Sequence, residues 1–198
     1  MVFQEVVRRW DAQLASGESE RDLACLRGVG GTEVNLEEGW IDQGKSPWVP
    51  DLDTLPAPSR HLIKQYKGKY FFSLAKPMAS VFTSRGCSFD CNFCAIWEFY
   101  ERRTRFLSAS VIADRMADCE EDFVFLLDDN FLTRTDRLWA LADELERRGI
   151  KKYWMSQGRS DFVAKNPELM KRVKCMKKLS LSRLFARKEL NVINKKGV

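Results

Sequence analysis

Cys87, Cys91 and Cys94 stand four and then three residues apart. One tight loop can therefore aim three sulfurs at a single small object. The run before them, Ala79 to Thr83, is largely apolar and reads as a strand, so the loop leaves a fixed platform. Cysteine thiolates are the usual ligands of iron–sulfur clusters. With no fourth cysteine nearby, a four-iron cubane held by these three would keep one iron open to a substrate or cofactor. Zinc is a weaker match, because it takes four ligands, commonly from paired Cys or Cys/His sets. The chain has one histidine, His61, and no second cysteine pair. A disulfide framework also fits poorly: three cysteines this close cannot all pair, and Cys25, Cys119 and Cys175 are scattered singly. Those three read as small buried hydrophobes, and His61 reads as structural.

A reactive loop needs a scaffold, and from residue 79 the sequence supplies strand–helix alternation. A first strand is expected over 79–84. Ser108 reads as the N-cap of a helix with Val111, Ile112 and Met116 on one face. The continuous apolar run Phe123–Leu127 fits a parallel strand buried on both faces. A helix follows, with Thr133 or Thr135 as cap, Leu138, Leu141, Ala142 and Leu145 as core stripe, and Gly149 as terminator. A third strand is expected within Ile150–Gln157. A further helix opens at Asn166-Pro167-Glu168, with Leu169, Met170 and Val173 inward, and a fourth strand is expected at Leu179–Phe185. Such β–α succession implies an α/β fold with a parallel sheet.

The part before residue 60 is different. Residues 1–22 contain an amphipathic helix with Val2, Phe3, Val6, Val7 and Trp10 on one face. Residues 23–60 have weak periodicity and prolines at 47, 50, 56 and 58, which predicts a linker or wrapping segment.

In parallel α/β sheets, chemistry gathers at the carboxyl ends of the strands. The cysteine loop lies there, as do Asp128-Asp129-Asn130-Phe131 after the second strand and Gln157 to Asp161 after the third. Three polar loops should converge on one mouth. Asp128 or Asp129 could accept from a ligand's ammonium group or simply cap the following helix. Arg159 could clamp a carboxylate or pair with Asp161.

The 198 residues are 44% apolar, enough for a sizeable core, and carry a net charge of +5. No stretch approaches the ~20 apolar residues of a membrane-spanning helix. No signal-peptide pattern opens the chain, which predicts a reducing, cytoplasmic setting. Basic residues cluster at Arg102-Arg103-Arg105, Lys171-Arg172-Lys174, Lys177-Lys178 and Lys195-Lys196. They read as solvated helix faces, with no clear nucleic-acid surface.

At Cys87-Ser88-Phe89-Asp90-Cys91-Asn92-Phe93-Cys94 the chain resembles the radical S-adenosylmethionine (SAM) superfamily, with an aromatic residue, Phe93, just before the last cysteine. The resemblance covers about residues 45–175. It is closest to the subgroup with a cobalamin-binding domain, through Asp51 to Pro58, Thr83 to Cys87, Asp128 to Phe131 and Arg159-Ser160-Asp161. It implies a 4Fe–4S cluster on Cys87, Cys91 and Cys94, and SAM on the open iron, cleaved to a 5′-deoxyadenosyl radical. Phe93, Asp128, Asp129 and Arg159 are the residues it implies around SAM, with Phe93 near the adenine or in the core. It further implies a small-molecule substrate, an electron donor such as flavodoxin or ferredoxin, and methyl transfer as the reaction, with cobalamin used in full-length relatives. The implied fold is a partial (β/α) radical SAM barrel of about three to four β–α units, with an N-terminal helical or irregular extension. Residues 1–60 would be a remnant of a cobalamin-binding domain plus a Pro-rich linker. Residues 61–198 would be the N-terminal part of the radical SAM domain, a truncated member expected to turn over poorly. The alternatives are an iron–sulfur-binding redox module without turnover and a tRNA-modifying member of the superfamily.

Overall fold

A computed structural model describes residues 2–17, 22–72 and 75–174. The expected strand at Leu179–Phe185, Cys175 and the basic residues beyond 174 lie outside the described residues. The chain divides into two compact units, Met1–Pro50 and Asp51–Val198.

In the first unit, helix α1 (Val2–Ala15) forms over the expected amphipathic stretch. Its Glu5 bonds Arg8 and Arg9 one turn on, and these bonds pull the Glu5 pKa down to about 2. Phe3, Val7 and Trp10 stay exposed, and the residue that α1 buries is Gln13, whose amide donates to Asp22 O at 2.9 Å. Strands β1 (Glu33–Leu36) and β2 (Gly39–Asp42) then pair as an antiparallel hairpin. This corrects the expectation of irregular chain throughout 23–60. The hairpin turns on Glu37-Glu38, which lacks the usual Asn-Gly or Asp-Gly signal. Gly39, at φ +101°, supplies the positive dihedral instead.

In the second unit, 3-10 turns at Leu52–Thr54 and Arg60–Lys69 lead to β3 (Met78–Val81). The expected strand 79–84 is broken. The chain leaves the sheet after Val81, and Ser84–Arg85 form a separate short strand, β4. After helix α2 (Ile96–Phe99), β4 pairs antiparallel with β5 (Arg105–Phe106). Helix α3 (Ala109–Ala117) starts at Ser108, whose hydroxyl accepts from Val111 N as expected. Strand β6 (Phe123–Leu126), helix α4 (Thr135–Arg147), strand β7 (Tyr153–Ser156) and helices α5 (Ser160–Lys165) and α6 (Pro167–Lys174) complete the unit.

The sheet is parallel, ordered β3-β6-β7, with Met78 beside Phe123 and Phe123 beside Tyr153. The class is therefore α/β, as the strand–helix alternation requires. Ala79, Val81, Val124 and Leu126 are buried, as are Ile112 and Met116 of α3 and the α4 stripe Leu138, Leu141, Ala142 and Leu145. Gly149 ends α4 at φ +66°. The expectation that β6 is buried on both faces is corrected: Phe123 and Phe125 are half-buried and Leu127 is exposed. On that second face, Phe123 stacks on Tyr153 with ring centroids 5.2 Å apart. Neither Thr133 nor Thr135 caps α4. Arg134 holds the cap position without a side-chain bond to the backbone, and its guanidinium instead reaches Asp136. Of the lone cysteines, Cys119 is buried but Cys25 is half-exposed, and His61 is exposed. No helix among the described residues is long and apolar enough to cross a membrane.

Candidate functional site

The three loops that leave the carboxyl ends of β3, β6 and β7 are tied together by side-chain contacts. The strongest tie is Asp128, just past β6. Its residue exposure is 2%. One carboxylate oxygen accepts from Thr83 N at 2.6 Å and Ser84 N at 3.1 Å. The other accepts from Ser84 Oγ at 2.8 Å and from the Thr83 hydroxyl. Arg137 of α4 stands 3.6 Å from the same oxygen. It also donates to Thr83 O at 3.1 Å and lies between the Phe106 and Phe131 rings, at 5.0 and 5.2 Å from their centroids. Burial lowers the Arg137 pKa, with Asp128 opposing. Asp128 is thus no helix cap: its carboxylate accepts from the chain's own donors on both oxygens.

Asp129 points elsewhere. It is half-buried and accepts from Gly86 N at 3.2 Å. Gly86 is required here. At φ +91°, a Cβ would lie 2.2 Å from Arg103 O and about as close as 3.0 Å to the Tyr100 ring. Only glycine lets the chain turn from β4 into the cysteine loop against the segment that returns through Arg103.

Beyond Gly86 the loop carries no regular structure until α2. Cys94 N donates to Cys91 O, as does the Trp97 indole, each at 3.1 Å, so a small turn is pinned by an aromatic anchor. Arg102 covers that indole at 4.9 Å and pairs with Asp90 at 3.5 Å. All three motif thiols are half-buried. Among the described residues, no group of three His, Cys, Asp or Glu side chains is arranged to hold a metal ion. Phe93 is 88% exposed, which removes it from the core.

Arg159 closes the mouth from the β7 side. It makes a two-pronged bond to Asp161, at 2.9 and 3.2 Å. Its remaining terminal nitrogen lies 3.7 Å from Cys91 Sγ, and its guanidinium sits 4.2 Å over the Phe89 ring. The Asp161 bond is the main cause of a raised Arg159 pKa, and Asp161 is lowered in return. Arg159 thus makes the expected pair with Asp161 and, beyond that reading, also reaches the cysteine loop. The β6 and β7 loops meet where Phe131 N donates to Gln157 O at 3.0 Å, and where a Cβ on Gly158 would strike Leu132 at 2.6 Å.

Sequence reasoning assigned no role to Thr83, Ser84, Arg137 or Trp97. Arg137 carried a signal: it lies one turn before Leu141, on the apolar stripe of α4, where an arginine needs a buried partner.

Fold and site together define an α/β protein whose cysteine loop opens at the carboxyl mouth of a parallel sheet. The chain is 32% identical over 143 residues to the hopanoid C-3 methylase of Methylococcus capsulatus, covering 72% of this chain and 27% of that protein. It is 26% identical over 155 residues to an uncharacterized methyltransferase of Pyrococcus horikoshii, covering 76% of this chain and 33% of that protein. Both relatives are named for methyl transfer, and the chain spans about a quarter to a third of their length. No protein-family model and no solved structure matches the chain.

Proposed function

We propose that this chain carries the cluster- and SAM-binding part of a radical SAM protein of the methyltransferase kind. The observation that carries the reading is the joining of three strand-end loops around Cys87, Cys91 and Cys94, with Asp129 on Gly86 N and Arg159 beside Cys91 Sγ. The donor set fits a 4Fe–4S cluster in its chemistry, because three half-buried thiols share one loop at the mouth of the sheet. When bound, such a cluster supplies the electron that cleaves SAM reductively. Asp129, with an oxygen to spare, is the acceptor for the ammonium of SAM. Arg159 is the donor for its carboxylate, and the exposed Phe93 ring is a surface on which adenine can stack.

Similarity to relatives named as a methylase and a methyltransferase supports methyl transfer to a small molecule, with a ferredoxin- or flavodoxin-like electron donor. Residues 1–60 are read as belonging to a cobalamin-binding domain and its linker, and the β–α units from residue 61 as part of a (β/α) barrel. Anaerobic reconstitution with iron and sulfide tests the cluster. The wild type should take up four irons per chain, by analogy with a cubane, and Cys91→Ala should lose most of them. Full iron and sulfide content in Cys91→Ala would overturn the assignment. Addition of SAM should alter the electron paramagnetic resonance signal of the reduced cluster, and an unchanged spectrum would count against an open, SAM-accepting iron.

A further inference from the structure

Apart from the cysteine mouth, the second unit holds a cavity of about 280 Å³ at the carboxyl end of β3, lined by Arg60, Ile63, Phe82, Arg115 and Leu127 among others. Its positive charge is unusual. Arg115 is only 4% exposed, and among the described residues its guanidinium donates to a neutral carbonyl, Leu55 O, at 3.1 Å. Arg60 donates to another carbonyl, Ser80 O, at 2.8 Å. Arg85, exposed and outside the cavity lining, adds a third guanidinium on the Phe82 ring. The Phe82 ring lies 4.6 Å from Arg85 and 5.0 Å from Arg115. None of the three has a carboxylate within ion-pairing distance among the described residues, although fifteen such pairs join other arginines and lysines to carboxylates there. Asp53 is the nearest acidic influence on Arg115, while Arg60 and Arg85 repel it, and an Asp53 oxygen is already taken by Ser108 N.

A buried guanidinium without a counter-charge is costly, and like charges gathered around a low-dielectric cavity raise the local potential for anions. The remaining walls, Ile63, Val81, Phe82 and Leu127, are apolar. We propose that this cavity is a binding site for the anionic end of a small organic molecule, a phosphate carried on an apolar stem. Arg60 and Arg115 meet the oxygens, and Phe82 and Leu127 meet the stem. The site is separate in its residues from the cysteine loop, and it stands whether or not a cluster is bound.

Phenyl phosphate and inorganic phosphate, titrated calorimetrically into the full chain, test the proposal. Phenyl phosphate should bind several-fold more tightly than inorganic phosphate, because the stem reaches apolar wall. Arg60→Gln, at a half-exposed position whose loss leaves the core intact, should weaken phenyl phosphate about tenfold, the worth of one charge-assisted bond. Lys151→Gln, an exposed charge elsewhere, should leave binding unchanged. The proposal is overturned by no saturable binding, by equal affinity for the two phosphates, or by equal weakening in Arg60→Gln and Lys151→Gln. Arg115→Gln serves as a second variant. If it folds, as judged by circular dichroism, it should also weaken binding about tenfold; if it does not fold, Arg60→Gln alone decides.

Discussion

Replacing Asp128 with asparagine tests the physical account of the mouth most directly. The carboxylate accepts four hydrogen bonds from Thr83 and Ser84 and faces Arg137 at 3.6 Å, all out of solvent. In Asp128→Asn one oxygen becomes an NH2 group that faces donors, and Arg137 is left buried without a counter-charge. Hydrogen bonds to a charged group contribute about 1.5–3 kcal/mol each but do not add. Breaking a buried pair costs about 3–5 kcal/mol. The pair figure is the better guide, because it already contains the stranded charge, so a loss of about 3–5 kcal/mol is expected. Against a typical total of about 5–15 kcal/mol, the variant should be marginal. Urea unfolding followed by tryptophan fluorescence measures this as a lower midpoint at unchanged slope. Arg137→Leu removes the charge that would be stranded, so the double variant should be less unstable than the two single losses predict. A loss below about 1 kcal/mol in Asp128→Asn, or strict additivity in the cycle, would refute the claim that this pair organises the site.

Three more outcomes follow from the geometry. Gly86→Ala should cost at least about 2 kcal/mol, combining left-handed backbone with a clash against Arg103 O and Tyr100; its urea midpoint checks this, and wild-type stability would show that the loop can yield. Arg159→Ala should weaken SAM binding to reconstituted protein by about 1.5–3 kcal/mol, and an unchanged dissociation constant would mean that Arg159 serves only Asp161 and the loop. Glu144 is held at a pKa of about 2, first by its bond to Arg147 and then by Arg148. Its folded pKa lies below the ordinary value of 4.5, so its stabilising effect is present above that value and is lost as pH falls from there toward about 2. Carboxyl NMR titration should show the low value in wild type and a rise in Arg148→Gln; an ordinary value in wild type would remove the pairing.

Wherever side-chain period dominates, sequence and structure agree. The α4 stripe, the Ser108 cap, Pro167 at the start of α6 and the two later parallel strands were readable because burial repeats at helical or strand spacing. The failures have local causes. The 79–84 run breaks because Thr83 and Ser84 turn to meet a carboxylate 44 or 45 residues away, and no local pattern encodes such a partner. The 33–42 hairpin was hidden because its turn uses Glu-Glu with Gly39 in place of the usual pairs. Helix α5 leaves no readable sequence signal because six residues give too little period to detect. At the mouth, the residue types and the strand ends were legible. The division of labour between the two adjacent aspartates was not: Asp128 and Asp129 have identical chemistry and differ only in which way the chain turns them.

The hydrogen bonds of Asp128 also bear on the order of assembly. Thr83 and Ser84 leave the first parallel strand, Asp128 leaves the second, and Arg137 comes from the helix after it. Closing chain segments of 45 and 54 residues must precede the final seating of the cysteine loop, because its base is fixed by these partners. Long-range closure of this kind is slow compared with forming a local turn. The three thiols should therefore be the last part of the mouth to settle, so that the cluster proposed for them would find a finished seat only after α4 has docked.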